Sequence, residues 1–390
     1  MKIAVIGVQR ISDKQGEIES YCQELYSKIV ARGHQVDLFV RPESHQQSWF
    51  SIYFYRQIRF IALASLSNAQ FNLLFNSAIG IIWATFGNYD VIHIQGVKAA
   101  WLSWLPRLFS RAKVIVTSHE LDCRRQLYPQ GLRWLCSWIE KTAITNTDEV
   151  TVVSKALGKY YQQKYQIRPR HIPNGPGTFV TANNKFDYGK TLGLKPKKYL
   201  LYVGRLIPEN QPDLLLEAFQ KIESDGYQLA IVGEIGRSVK YAVQLLAIAK
   251  KRQDIIFINQ TKDRHLAEII RQAGLMVCPG SGSDLGLSMT ILEAMREGVP
   301  VLASDTPVHR ELLGRDRGLL FQSGNLSSLI TKLEYSFEEP LAMQGMAQQA
   351  QTYTTIYHNW DRITYGNLSL YLKATSKTQV SSVKYRALDS

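Results

Sequence analysis

Short apolar runs alternate with stretches of helical period through most of this chain. Lys2 to Ile6 is a buried-strand pattern. Glu17 to Arg32 follows with Leu25, Ile29 and Val30 on one helical face, and Gly33 stops it. Gln35 to Val40 is the next strand, and a strand–helix–strand opening predicts a parallel sheet. Asp90–Gln95, Lys113–Ser118 and Glu149–Val153 continue as strands, with Ser154 a good N-cap for the helix after them. Residues 49–86 are unusually apolar and read as mainly helical. His171-Ile-Pro-Asn-Gly-Pro-Gly177 breaks all periodicity. The alternation then restarts, with strands at Tyr199–Val203, Gln228–Val232, Ile255–Ile258 and Leu275–Cys278, and helices between them.

Two successive βα blocks predict two Rossmann-like domains, over 1–180 and 190–345. A last helical segment, about Gln348 to Leu372, closes the pattern, with residues 346–372 as its span. The Ser/Thr/Lys-rich residues 373–390 read as a disordered tail. The 390 residues are 45% hydrophobic, enough for two well-filled cores. Four scattered cysteines contain no CxxC pair, which argues against a zinc site or a disulfide framework and for a reducing, cytoplasmic setting. The N-terminus reads as a strand and not as a signal peptide, and no apolar run reaches the ~18 residues of a spanning helix.

The formal net charge of +13 favours anionic partners: nucleic acid, anionic lipid or phosphorylated substrates. Helix-turn-helix, zinc-finger and RNP-type cues are missing, so nucleic acid is set aside. Basic and aromatic residues interleave in Trp49–Phe60 and Trp101–Lys113, a composition suited to a membrane interface at the cytoplasmic face. The competing reading makes these aromatics core and the Arg and Lys a solvated face.

The richest chemistry lies in residues 282–302. A Gly/Ser-rich loop holding Asp284, Gly286, Leu287 and Ser288 runs into a helix carrying Glu293; Gly298 ends it, and an apolar strand follows. Free N–H groups and the helix dipole make such a start an anion site. Glu293 is placed to accept hydrogen bonds from a sugar or ribose diol; otherwise it is a solvated surface carboxylate. Arg205, after Gly204 at a strand's carboxyl end, is suited to clamp a diphosphate, or else pairs with a carboxylate such as Glu209. No GxGxxG follows the first strand, which argues against a nucleotide-dependent oxidoreductase.

Together these segments resemble the family-4 retaining glycosyltransferases. The resemblance rests on Glu293-Ala-Met, Val203-Gly-Arg205-Leu-Ile-Pro-Glu209, Leu214–Phe219, Ile231-Val-Gly233, Pro173-Asn174-Gly175 and Gly16-Glu-Ile-Glu19, and it spans about residues 1–372. It implies the α/β GT-B architecture, two Rossmann-like domains facing a cleft, with the terminal helix returning to the N-terminal domain. It also implies Glu293, Arg205, Gly16 and the 286–288 loop on a nucleotide-diphosphate sugar. His119 and Asp284 would lie near the transferred sugar, although a structural role for His119 stays open. No metal or other cofactor is implied. Asp122, Arg124 and Arg125 resemble a pattern from a polysaccharide-forming branch, which suggests a lipid-linked or glycan acceptor.

Four positions depart from the family pattern. Leu285 stands where the first motif Glu belongs, and Asn210 where a phosphate-binding Lys belongs. Glu17 replaces a second Gly, and Glu120 the Gly after the His. Lys262, Arg264 and Arg237 are candidate substitutes for the missing cation. The expectation is a retaining transferase in polysaccharide biosynthesis. The alternative is a glycosyltransferase-like partner subunit without catalysis.

Overall fold

The computed structural model describes the chain except residues 10–15, 43–49, 64–68, 122–129, 178–184, 225, 234–238, 251, 260–262, 283–284 and 387–390. It divides into two units. The first comprises Met1–Asn174, Asp284–Leu287 and Trp360–Ser390, and the second Gly175–Ser283 and Ser288–Asn359.

In the first unit the chain forms β1 (Lys2–Ile6), α1 (Glu17–Val30), β2 (Gln35–Val40), β3 (Phe50–Tyr55), β4 (Ile58–Leu63), α2 (Ala69–Phe86) and β5 (Val91–Gln95). It goes on through α3 (Trp104–Phe109), β6 (Lys113–Ser118), α4 (Gln130–Thr145), β7 (Glu149–Val152), α5 (Lys155–Tyr165) and β8 (Arg170–His171). The sheet order is β3-β4-β2-β1-β5-β6-β7-β8, parallel throughout except for β3 against β4. Its central strands are covered on both faces, so Ile3 to Ile6 and Val91 to Gln95 are all buried; Ile3 to Ile6 reads as an unbroken apolar run, and Val91 to Gln95 is apolar except for His93 and Gln95. On α1, Tyr21, Cys22, Leu25, Tyr26 and Ile29 recur at helical spacing and are buried.

The helical expectation for residues 49–86 is wrong in its first half. Residues 50–63 are a β-hairpin, and the helix begins only at Ala69. Arg56 (φ 47°) and Gln57 (φ 64°) make the turn in left-handed backbone, the geometry that matches strand twist. Tyr53 faces Phe60 across the strands with rings stacked at 5.1 Å, a cross-strand pair that stabilises the hairpin. The buried members lie on β4, while β3 leaves Phe54 and Tyr55 exposed.

In the second unit, α6 (Asp187–Thr191), β9 (Tyr199–Val203), α7 (Pro212–Lys221), β10 (Gln228–Val232), α8 (Val239–Ala249), β11 (Ile255–Ile258) and α9 (Asp263–Arg271) come first. Then follow β12 (Leu275–Cys278), α10 (Met289–Arg296), β13 (Val301–Ser304), α11 (Pro307–Leu313), β14 (Leu319–Phe321), α12 (Leu326–Glu338) and α13 (Pro340–Tyr357). The all-parallel sheet has the order β11-β10-β9-β12-β13-β14. Its core gathers Leu200, Leu216, Phe219, Ile231, Val277 and Leu302.

The expected terminal helix is two helices. α13 ends at Tyr357, and α14 (Trp360–Arg386) groups with the first unit, packing on α1. Residues 373–386, read as a disordered tail, are helical. No Gly or Pro occurs after Gly366, so nothing in the local chain ends the helix. Lys28 and Arg32 both meet Asp361 of α14, at 3.1 and 3.0 Å; being half-exposed, these pairs contribute at most about 1 kcal/mol each.

Candidate functional site

Each sheet has one point where the strand order reverses, between β1 and β5 in the first unit and between β9 and β12 in the second. Open α/β sheets bind ligands beyond the carboxyl ends of strands at such points. Gly7 and Gln95 lie at the first of these points, with His119 one strand further on, and Arg205 and the loop after β12 lie at the second.

In the second unit Arg205 lies two residues past β9 with its side chain exposed. Its carbonyl is gripped by Tyr202 Oη (2.9 Å), Asn210 Nδ2 (2.9 Å) and Ile207 N (3.0 Å). Among the described residues no ion pair joins it to Glu209, and the side chain is open to solvent. Asn210, first noted as a missing cation, thus holds the Arg205 loop in place. The loop after β12 is pinned beside it: Ser281 N donates to Glu209 O (3.0 Å), and Ser304 Oγ to Gly280 O. An added Cβ on Gly280 would sit 3.4 Å from Asn210 Cα, and Gly282 (φ 58°) has Thr306 at 2.9 Å. A Cβ on Gly233 would lie 2.1 Å from Gly204 O. Backbone packs against backbone at Gly233, which only glycine permits, while at Gly282 the close neighbour is the Thr306 side chain.

Ser288 caps α10, its hydroxyl accepting from Ile291 N (3.4 Å), and Leu287 is buried behind it. Gly286 is partly exposed, and Leu285 is held at φ 54°, a left-handed conformation costly for a branched side chain. Glu293 is only 9% exposed, which removes the solvated-carboxylate reading. Its Oε1 would lie 2.5 Å from any Cβ at position 177, and Arg296 Nη1 donates to Gly177 O. Gly177 is thus needed for Glu293 to occupy its place. Asp284 lies outside the described residues, as do Arg237 and Lys262. Arg264 is exposed at the start of α9, with Nε on His265 Nε2 at 3.2 Å.

In the first unit, Gly7 (φ 95°) ends β1 so closely against β5 that a Cβ would lie 2.1 Å from Gln95 O. Gly16 is the exposed N-cap of α1, and a Cβ there would lie 2.4 Å from Glu19 Oε2. Glu19 Oε1 accepts from Gln9 N (3.2 Å), so its carboxylate serves its own loop. His119 follows β6 and is buried. Its Nε2 lies 2.8 Å from Gln95 Oε1, and Tyr21 meets the ring edge-on at 4.9 Å. Burial pulls its pKa down to about 3.

Gln95 continues inward to Tyr26 Oη (2.7 Å), which meets His93 Nδ1 (2.9 Å). Tyr371 Oη of α14 reaches the same nitrogen (2.6 Å), and His93 Nε2 meets Thr117 Oγ1 (2.6 Å). The pKa of His93 also falls to about 3, through burial and then the nearby His119. Sequence reasoning missed Gln95, Tyr26 and Tyr371. Their one local signal is the pair of polar side chains, His93 and Gln95, at alternate positions of a buried strand. Asp122, Arg124 and Arg125 lie outside the described residues.

Two α/β units whose polar groups gather at the reversal points of parallel sheets define a protein of GT-B architecture. Comparison with known proteins agrees. The model "Glycosyl transferases group 1" matches residues 185–353, and "Glycosyltransferase Family 4" residues 18–176. The chain belongs to the family-4, group 1 glycosyltransferases and is a transferase enzyme. A phosphatidyl-myo-inositol mannosyltransferase of Mycobacterium leprae is 26% identical, over 82% of this chain and 83% of its own. A D-inositol 3-phosphate glycosyltransferase of Rhodococcus erythropolis is 24% identical, over 74% and 69%. Among solved structures, a sucrose-phosphate synthase of Thermosynechococcus elongatus superposes with TM-score 0.78 at 20% identity, over 96% and 99% of the two chains. The Anabaena protein HepE in complex with UDP-glucose gives TM-score 0.73 at 17% identity, over 98% and 100%.

Proposed function

We propose that this enzyme moves a sugar from a nucleotide-diphosphate donor to a lipid-linked or polysaccharide acceptor, with retention of anomeric configuration. The observation that carries the reading is the second unit's reversal point, where an exposed Arg205 stands on a pinned glycine-rich loop. A buried Glu293 lies on the capped helix of the same unit. Arg205 takes the diphosphate and stabilises the charge that builds on it as the glycosidic bond breaks. Glu293 accepts from a diol of the donor. The N–H groups at Gly286, Leu287 and Ser288 add anion contacts at a helix start. Gly16 leaves room for the donor phosphate, while His119 and Asp284 serve the transferred sugar. In retaining transfer the leaving diphosphate itself receives the acceptor's proton, so no separate acid–base pair is required.

No metal takes part in this reading, and turnover should be unchanged by a chelator such as EDTA. The relatives from Mycobacterium leprae and Rhodococcus erythropolis are named for inositol-containing acceptors, and HepE was crystallised with UDP-glucose; these names support the substrate classes. The decisive experiment is a panel of nucleotide sugars scored by thermal shift and then by nucleotide release with lipid acceptors. The anomeric configuration of the product is read by NMR. If no donor gives release above the spontaneous rate, the reading fails.

The acceptor reading extends to a membrane surface. Among the described residues no helix is long and apolar enough to cross a membrane. α2 packs on α3, and both α2 and α4 present exposed aromatics: Trp83 and Phe86, then Trp134 and Trp138. α3 adds Leu108 and Phe109, with Arg107, Arg111 and Arg133 exposed among them. Apolar and aromatic side chains ringed by arginine suit an anionic bilayer interface at the cytoplasmic face.

A further inference from the structure

The buried polar chain of the first unit runs in one direction, and that direction decides the state of His119. Thr151 Oγ1 donates to Val116 O (3.4 Å), so it accepts from Thr117 Oγ1 (2.6 Å). Thr117 has then used its hydrogen and must accept from His93 Nε2 (2.6 Å). His93 therefore carries its hydrogen on Nε2 and offers the one lone pair of Nδ1 to the Tyr371 hydroxyl (2.6 Å), which itself accepts from Tyr26; Tyr26 Oη, 2.9 Å from the same nitrogen, has then used its hydrogen. Gln95 Nε2 donates to Tyr26 Oη (2.7 Å), which leaves Gln95 Oε1 facing His119 Nε2 at 2.8 Å. An amide oxygen only accepts, so the His119 hydrogen is also on Nε2. A second observation agrees. His119 Nδ1 is buried with no hydrogen-bond partner among the described residues, and a buried bare acceptor is tolerated better than an orphaned N–H.

We propose that Gln95 is a positioning residue that fixes His119 as the neutral Nε2–H tautomer, and that Tyr26, His93 and Tyr371 extend this hold to α14. The proposal rests on the reading of His119 as a group near the transferred sugar. A ring held this way, with Nε2 on Gln95 and Nδ1 buried, is locked in place and brings no positive charge. An imidazolium there would be a buried charge without a partner, which is costly. Holding this residue in one orientation is a positioning effect and is felt in turnover more than in donor affinity.

The test is ¹⁵N NMR of the full chain labelled at histidine, recorded from about pH 5 to pH 8, together with transfer kinetics. In the wild type, His119 should show an unprotonated Nδ1 and a protonated Nε2 across this range, with no titration. Gln95→Glu places a carboxylate beside Nε2–H, which favours the imidazolium. The ring should then titrate nearer neutral pH, and turnover should fall on the acid side and recover as pH rises. Gln95→Leu should lower kcat about tenfold or more while the donor KM stays within about twofold, the signature of lost orientation. Tyr371→Phe removes one hydroxyl and should shift the ring signals of both His93 and His119. Hydrogen on Nδ1 of wild-type His119 overturns the proposal, and so does a Gln95→Glu protein whose ring and pH profile are unchanged. Unmoved His119 signals in Tyr371→Phe overturn its extension to α14. If Gln95→Glu does not fold, the wild-type spectrum and Tyr371→Phe still decide. A correct tautomer in a protein that transfers no sugar would sink the functional reading and leave the role of Gln95 standing.

Discussion

The two units solve different electrostatic problems with the same fold. At the second unit's reversal point a full charge, Arg205, is held in water's reach by bonds to its main chain. At the first unit's, two imidazoles are buried, neutral and tied into a network of amides and hydroxyls. A diphosphate needs compensating charge that grows as the bond breaks. A sugar needs fixed, uncharged donors and acceptors, since an unpaired buried charge costs several kcal/mol. The same strand–loop architecture thus supplies charge on one sheet and oriented dipoles on the other.

The largest effect is expected at Arg205. Arg205→Ala should lower kcat/KM by roughly 10²–10³-fold, about 2.7–4 kcal/mol of transition-state stabilisation. Its melting temperature should barely change, because the side chain is exposed and makes no ion pair among the described residues. Turnover near the wild-type value would mean that charge is supplied elsewhere and the contrast between the units is false. Glu293→Ala should weaken nucleotide binding by roughly 1.5–3 kcal/mol, the range for hydrogen bonds to a charged group. Calorimetry on the folded variant checks this, and unaltered affinity removes Glu293 from the site.

Acid tests the first unit. The pKa values of His93 and His119 are depressed to about 3 by burial. The unfolded chain takes up their protons below about pH 6.5 while the folded one does not. Their neutral state therefore favours folding fully above about pH 6.5, and stability is lost as pH falls toward 3. The slope is at most about 1.4 kcal/mol per pH unit for each ring. Denaturant titrations at stepped pH should show this loss, reduced in a His93→Gln variant. The smallest effect is expected at the surface. Trp134→Ser with Trp138→Ser should weaken binding to anionic vesicles, and salt should weaken it further by screening. Turnover of a soluble acceptor should be unaffected. Equal sedimentation of variant and wild type with vesicles at low salt would remove the membrane face.

The parts of this molecule that were legible in the sequence are those whose signals are local. Parallel strands buried on both faces announce themselves as apolar runs, and Gly204-Arg205 and the Ser288 cap lie within a turn of the structure they create. The hairpin at residues 50–63 was not legible, because its turn is Arg56-Gln57 and not the usual Asn-Gly or Asp-Gly. The hold of Asn210 on the Arg205 carbonyl was not legible, because its residue type says what it cannot neutralise, not which carbonyl it holds. The imidazole network was invisible for a stronger reason: Tyr26 and His93 are 67 positions apart, and His93 and Tyr371 are 278 apart.

That last separation sets the order in which the protein can be finished on the ribosome. α14 belongs to the first unit, yet it is made after the second unit's Gly175–Ser283 and Ser288–Asn359. Until residues 360–386 emerge, Tyr26 and His93 lack Tyr371, and the α1 surface that α14 covers stays open to water. Within this sequence the first unit is started before the second and completed after it. The nascent chain therefore carries an unsealed N-terminal half for the whole time it takes to make the second unit. Over that interval its exposed apolar α1 face is the surface that a chaperone would shield or that aggregation would seize.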